Sequence, residues 1–346
     1  MNFPTIPPLN SESAARAAAH QLQLTKPAGS LGELESLSIQ LAAIYGVDQP
    51  RPDHKAVIVM AGDHGIARSG VSAFPSEVTP QMILNFLNGG AAINVLSRLV
   101  NARVTVVDVG VAVDLPALPG LIQRKVAYGT RNMLSEPAMT RAEAEAALSA
   151  GIEVVTDQVG QGINIVATGD MGIGNTTPSA AITAIYSGLP VKDVVGRGTG
   201  VDDAGLARKI EAIETALALH QPNAQDAMDV LCKVGGLEIA GIAGVVIGAA
   251  ANRIPVVVDG FISTAAALIA ARLVPEVQPY MIGAHQSVEI GHQALLKLLN
   301  LRPLLNLNLR LGEGTGAALA FHIVDAAAAI LNEMATFASA GVSNKE

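Results

Sequence analysis

The sequence predicts an α/β protein, with a parallel sheet covered by helices on both faces. Three observations predict it. One pattern recurs along the middle of the chain: a short β-branched run ends in glycine or a carboxylate, and a helical segment follows. The strand runs are apolar throughout instead of alternating, as strands buried on both faces are. Half of the 346 residues are apolar, only 3% are aromatic and Trp is absent. Ala, Gly, Val, Ile and Leu must therefore carry the packing, which suits closely layered elements.

Taken in order, residues 11–47 read as helical. Ser11-Glu12-Ser13 offers caps, and Ala14–Leu24 favours a helix. Pro27 and Gly29 interrupt it in K-P-A-G-S-L-G (Lys26–Gly32), and Leu31–Tyr45 resumes with apolar spacing near 3.6. Lys26 is either a plain loop residue or a cation held near an anionic ligand. Five strand runs follow. They are Lys55–Met60, leading into A-G-D-H-G; Arg103–Val107, into D-V-G; Asn164–Ala167, into T-G-D-M-G-I-G-N-T-T; Pro255–Val258, into D-G-F; and Tyr280–Ile282, into G-A-H-Q-S. Glu77–Val100, Arg141–Gln158 and Ala204–His220 read as helices between them. The longest apolar runs, such as Ile239–Ala251, are roughly 13 residues, against the ~20 needed to cross a bilayer. They read as buried helix, and no membrane span is expected.

The charge balance is −8, from 22 basic and 30 acidic residues. With no basic block and no aromatic-basic interleaving, nucleic acid is not an expected partner. The single cysteine, Cys232, excludes an intrachain disulfide and fits a reducing cytoplasm. The first ten residues lack a basic segment followed by an apolar one, so no secretory signal is expected.

In a parallel α/β sheet, ligands bind beyond the carboxyl ends of the strands. Asp63, Asp108, Asp170, Asp259 and His285 all fall at those ends. Any one of them could simply cap a helix, whereas five together point to a site. Gly169–Thr177 is the leading phosphate candidate. Gly172 and Gly174 permit close backbone approach, Asn175, Thr176 and Thr177 bring polar side chains, and a helix N-terminus follows. Gly196–Asp203 (G-R-G-T-G-V-D-D) repeats that chemistry through Gly196, Gly198, Thr199 and Gly200, with Arg197 added. Neither loop is a nucleoside-triphosphate or dinucleotide fingerprint, so one monophosphate held by two glycine loops is the expectation. Lys209, on the following helix, is a candidate partner for phosphate or carboxylate. His285, Glu289 and His292 are spaced to share one face of a helix, which opens a metal reading beside one of capping by His285 and Ser287. His64 carries the same alternatives. The last motif is L-R-L-G-E-G-T-G-A (Leu309–Ala317). Glu313, held between Gly312 and Gly314 at the mouth of an apolar helix, has the setting of a positioned general base.

The ordered set of these motifs resembles one family. K-P-A-G-S-L-G, A-G-D-H-G, S-A-F-P-S-E-V-T-P-Q-M (Ser72–Met82), G-D-M-G-I-G-N-T-T-P (Gly169–Pro178) and G-R-G-T-G-V-D-D come first. V-D-G-F-I-S-T-A-A-A (Val258–Ala267), G-A-H-Q-S-V-E-I-G-H (Gly283–His292) and L-R-L-G-E-G-T-G-A complete it. From about residue 20 onward the chain resembles the nicotinate-nucleotide:dimethylbenzimidazole phosphoribosyltransferases of cobalamin nucleotide-loop assembly. The resemblance implies a glycosyl transfer from nicotinate mononucleotide to 5,6-dimethylbenzimidazole without a cofactor or metal, in a cytoplasmic homodimer. It also implies a Rossmann-like, six-stranded parallel sheet in a large domain (residues 46–304) and a small helical domain formed by both chain ends (1–45 with 305–346). The family's base maps to Glu313, and its phosphate loops map to Gly172–Thr177 and Gly196–Gly200. Asp259, Ser287 and Gly312 join the expected substrate contacts. The benzimidazole pocket maps near Ala73, Pro75, Gln81, Asp170 and Met171. Members often have Glu at the position of Asp170, and often an Asp near Asn306 and Asn308; the shorter or neutral side chains here alter any contact made from those positions. The rival reading is a metal-dependent hydrolase using Asp63, His64, His285, Glu289 and His292.

Overall fold

The computed structural model describes residues 1–343. Seven strands form one sheet: β1 (Lys55–Gly62), β2 (Ala102–Gly110), β3 (Leu121–Gln123), β4 (Ile165–Met171), β5 (Val256–Val258), β6 (Met281–His285) and β7 (Pro303–Leu305). Their order is β3-β2-β1-β4-β5-β6-β7 and every pairing is parallel. The sheet therefore has seven strands where six were expected. The two strands that escape a periodicity reading are the edges. β3 and β7 are three residues each and only half-buried, and β7 begins at a proline, which an edge strand tolerates.

Thirteen helices surround the sheet: α1 (Ser11–Gln21), α2 (Glu33–Tyr45), α3 (Val78–Leu87), α4 (Ala92–Leu99), α5 (Arg141–Gly160), α6 (Thr176–Ser187), α7 (Asp203–His220), α8 (Ala227–Val234), α9 (Leu237–Ala251), α10 (Phe261–Leu273), α11 (Ile290–Leu298), α12 (Thr315–Glu333) and α13 (Phe337–Ala340). The single helix expected over Glu77–Val100 is broken into α3 and α4, because Gly89 turns left-handed at φ 75°.

Alternation along the strands builds two cores. Ala56, Ile58 and Met60 of β1 face α5, α9 and α10, while Val57, Val59 and Ala61 face α2 and α12. α5 and α9 approach so closely that a Cβ on Gly151 would overlap the Gly241 carbonyl, so these glycines set the layer spacing. α12 is long and apolar enough, by length and composition, to cross a membrane, but it packs on β4–β7 with much of its surface buried. The chain ends meet beside it: Thr25 N–H donates to the Ala335 carbonyl (3.0 Å) and Phe337 N–H to that of Gln23 (2.9 Å). The same α12 thus joins the chain ends to the sheet through one core. The chain runs outward from β1 to β3 and returns through β4 on the other side of β1. That reversal leaves a crevice at the carboxyl ends of the strands.

Candidate active site

A cavity of about 500 Å³ opens at the carboxyl ends of β4, β5 and β6. Asp170, Asn175, Thr176, Gly198, Thr199, Ser287 and Gly312, all expected from the sequence, line it. So do Phe74, Gly260, Phe261, Ile262, His285, Glu289 and the run Asn308–Leu311.

The two glycine loops are brought together by a lysine. Lys209, only 1% exposed on α7, donates from Nζ to Thr176 Oγ1 (2.6 Å) in the first loop and to the Gly196 carbonyl (3.2 Å) in the second. Burial lowers its pKa to about 8, and the nearby Glu289 carboxylate opposes that shift. At Gly198 a Cβ would lie 2.7 Å from Thr176 Oγ1 and 3.1 Å from Lys209 Nζ, so only glycine lets the loops close on the ammonium. α6 starts at Thr176 without a side-chain cap, because Asn175 instead donates from Nδ2 to Asp170 Oδ2 (2.9 Å). Arg197 is turned away, bonded to the Val201 carbonyl (3.0 Å) and to Asp203. Gly172, Gly174, Thr177, Gly196 and Gly200 shape the loops without lining the cavity.

Glu313 sits next to the lining residue Gly312 in a run of three left-handed residues, with φ of 80°, 62° and 90° at Gly312, Glu313 and Gly314. A non-glycine residue held there is strained by about 1–2 kcal/mol. Asp259 supports the loop from below. Its Oδ2 accepts from Gly314 N–H (3.1 Å), and its Oδ1 accepts from Ala317 N–H in the first turn of α12 (2.9 Å). Asp259 therefore spends its carboxylate on backbone, beneath the cavity and not on its wall. Glu313 is 7% exposed and its Oε2 is buried without a hydrogen-bond partner. Burial, with a smaller push from Asp259, raises its pKa to about 7 against a hydrogen bond from the Ile93 backbone. A Cβ on Gly312 would lie 3.1 Å from Asp170 Oδ1, and burial together with Asp259 holds Asp170 well above the usual carboxylate range.

Ala73 and Pro75 are exposed beside the mouth, where Thr199 Oγ1 accepts from Ala73 N–H (3.0 Å). Gln81 is exposed on α3, and Met171 is buried at the end of β4. None of these four lines the cavity; Phe74 does. Lys26, in the loop between α1 and α2, pairs with Glu35 at 2.7 Å.

The metal reading fails on geometry. His285 ends β6 and α11 begins only at Ile290, so His285, Glu289 and His292 do not share a helix face. His292 has both nitrogens engaged, Nδ1 accepting from Ser287 N–H and Nε2 facing Thr264 Oγ1, each at 2.9 Å. Burial takes its pKa down to about 3, so it stays neutral and fixes the turn that presents Ser287. His64 is bonded to Glu238 at 2.7 Å, and Asp63 accepts from Ala112 N–H (2.8 Å). Among the described residues no group of three or more His, Cys, Asp or Glu side chains has metal-binding geometry. Among the lining residues that sequence reasoning missed are Phe261, Ile262 and Arg310. Phe261 and Ile262 look like core in any apolar pattern, and Arg310 reaches the Gly198 carbonyl at 3.4 Å only through the fold.

Comparison with known proteins agrees with this geometry. A family model described as phosphoribosyltransferase (DBI_PRT) matches residues 6–342. A Roseiflexus protein named nicotinate-nucleotide–dimethylbenzimidazole phosphoribosyltransferase is 62% identical over 340 residues, covering 98% of this chain and 96% of that one. A protein of the same name from Geobacter sulfurreducens is 57% identical over 336 residues, covering 97% and 96%. The crystal structure of the Thermus thermophilus protein of this name superimposes with a TM-score of 0.92 at 47% identity, covering 97% of this chain and all of that one. The parallel sheet, the paired glycine loops and the strained glutamate thus stand in a chain that belongs to the nicotinate-nucleotide–dimethylbenzimidazole phosphoribosyltransferase family.

Proposed function

We propose that the protein moves the 5-phosphoribosyl group of nicotinate mononucleotide onto a ring nitrogen of 5,6-dimethylbenzimidazole, giving α-ribazole 5′-phosphate and nicotinate. The observation that carries this reading is the Lys209 bridge. It makes one anion site from two glycine loops, whose cavity is also lined by Gly312, the neighbour of a buried carboxylate with a pKa near neutrality.

The donor phosphate sits against the Gly172–Thr177 and Gly196–Gly200 loops, where backbone N–H groups, the α6 N-terminus and the Lys209 ammonium stabilise it. The benzimidazole nitrogen attacks the anomeric carbon from the face opposite nicotinate. The new N–C bond forms as the old one breaks, the electron pair returns to the pyridinium ring nitrogen, and the β-linkage becomes α. The other benzimidazole nitrogen then carries an acidic proton, which passes to Glu313. A carboxylate of pKa about 7 is half ionised at neutral pH and is matched to that task. Nicotinate leaves from an already cationic ring and needs no acid. Asp170, whose carboxyl burial and Asp259 hold well above the usual carboxylate range, borders Gly312, where the acceptor base comes closest to Glu313. The pocket proposed for that base includes Ala73 and Pro75 beside the mouth, Gln81 on α3 and Met171 at the end of β4. In the same reading the protein is a cytoplasmic homodimer, and residues 1–45 with 305–346 act as a small helical unit beside the 46–304 domain.

Chromatography of the nicotinate released from nicotinate mononucleotide, with and without dimethylbenzimidazole, tests the function. Release that requires the base and yields an α-linked ribotide is expected. Release without any acceptor would make the protein a hydrolase and remove the transferase reading.

A further inference from the structure

Glu289 is not used by the reaction just described, yet its carboxylate is buried with one oxygen unpartnered. It is 7% exposed, lines the cavity, and has no cation within salt-bridge distance among the described residues. Its Oε2 is buried with no hydrogen-bond partner. It occupies the N-cap position of α11, but its side chain does not cap that helix. The turn that carries it is fixed by Ser287, whose Oγ accepts from Glu289 N–H (3.3 Å) and whose own N–H is held by His292. Across the cavity wall the carboxylate presses on Gly196, where a Cβ would overlap Oε2. Lys209 lies on the other side of the same glycine, bonded to its carbonyl. A carboxylate buried without partners is disfavoured strongly enough that a donor must normally meet it.

The chemistry of the donor nucleotide names the group that meets it. At neutral pH the phosphate and the nicotinate carboxylate are both anions and repel Glu289. The two ribose hydroxyls are the only O–H donors left, and in the nucleotide they lie between the phosphate and the anomeric carbon. Glu289 lies correspondingly against the Gly196 loop, on the wall of the cavity that Gly312 also lines. A carboxylate is the side chain that other nucleotide sites use to accept ribose hydroxyls. We infer that Glu289 accepts a hydrogen bond from a ribose hydroxyl of the donor and makes the enzyme selective for ribosyl over deoxyribosyl nucleotides. The inference rests on the transferase reading above.

The test compares kcat/KM for nicotinate mononucleotide with that for its 2′-deoxy and 3′-deoxy analogues, dimethylbenzimidazole being the acceptor throughout. The wild type is expected to reject at least one analogue by roughly 10- to 100-fold, the worth of a hydrogen bond to a charged group. Which analogue is rejected identifies the hydroxyl. Glu289→Ala should lose that factor on the native nucleotide and almost nothing on the rejected analogue, so the discrimination collapses. Glu289→Asp should keep part of it, which separates loss of the acceptor from loss of the fold. A Glu289→Ala variant that turns over and discriminates as well as wild type would overturn the inference. So would an equal rise in KM for all three nucleotides, the signature of a carboxylate that merely braces Lys209. Absence of wild-type turnover on nicotinate mononucleotide would remove the transferase reading itself, which is a different result.

Discussion

The two halves of the sheet's carboxyl edge start from the same kind of residue and end differently. On the β1–β2 half, Asp63 and Asp108 are buried at strand ends and spend themselves locally. Asp108 accepts from Val111 N–H (2.9 Å) and pairs with Lys125 (2.9 Å), while Asp63 accepts from Ala112 N–H. The chain that follows, residues 111–130, folds back over this end and adds β3, with Thr130 N–H donating to the Asp63 carbonyl (2.9 Å). On the β4–β6 half, Asp170, Asp259 and His285 meet short turns straight into helices, and the cavity stays open. A strand-end carboxylate is therefore a site residue only where the next segment leaves room above it. Where the segment returns, the same residue is a staple.

The largest effect that sharpens this contrast is at Glu313. Glu313→Gln should lower kcat by about 10²–10⁴-fold with little change in nucleotide binding, followed by steady-state kinetics and calorimetry. The wild-type kcat/KM profile should be bell-shaped. It falls below pH of about 7 as Glu313 protonates, and above about 8 as Lys209 loses its charge. A flat profile between pH 6 and 9 would separate both groups from the reaction.

A matched pair of substitutions tests the two halves against each other. Asp259→Asn weakens the backbone clamp beneath Glu313 and removes a negative charge that helps raise its pKa. A roughly 10-fold loss in kcat is expected, the order of one weakened charge-assisted hydrogen bond, with the acid limb moved below pH 7. Asp108→Asn should cost about 1–3 kcal/mol of stability and leave the acid limb in place. Equal shifts of the acid limb in both variants would erase the distinction drawn between the halves.

Much of this was legible in the sequence, for physical reasons that also mark its limits. Continuous apolar runs announced β1, β2, β4, β5 and β6, because strands buried on both faces need no polar alternation. β3 and β7 carry three residues each and half-buried side chains, too little pattern to stand out. Glycine spacing pointed to both glycine loops and to the turn that holds Glu313, because left-handed backbone and close approach leave few other choices. The role of Asp259 was hidden, since a carboxylate that clamps N–H groups and one that meets a ligand look alike at a strand end. Glu289 was misread for the opposite reason. Its spacing from His285 and His292 suggested a helix face, but the strand runs on to His285 and the helix starts after Glu289.

The smallest prediction concerns stability. The Glu313 pKa of about 7 lies above its ordinary 4.5, so folding favours the protonated carboxyl. That contribution is fully present below pH 4.5 and is lost as pH rises through about 7; above it, the fold carries an ionised carboxylate that burial disfavours. Glutamine copies the protonated form, and its backbone suffers the same left-handed strain, so that term cancels in the comparison. Glu313→Gln should therefore raise Tm at pH 8 by roughly 2–6 °C and change it little at pH 4.5. A variant that melts at the wild-type temperature at pH 8 would mean that the ionised carboxylate is well solvated in place. It would then be a poorer base than its burial implies, and the difference between the open and closed halves of the edge would lie in space alone, not in charge.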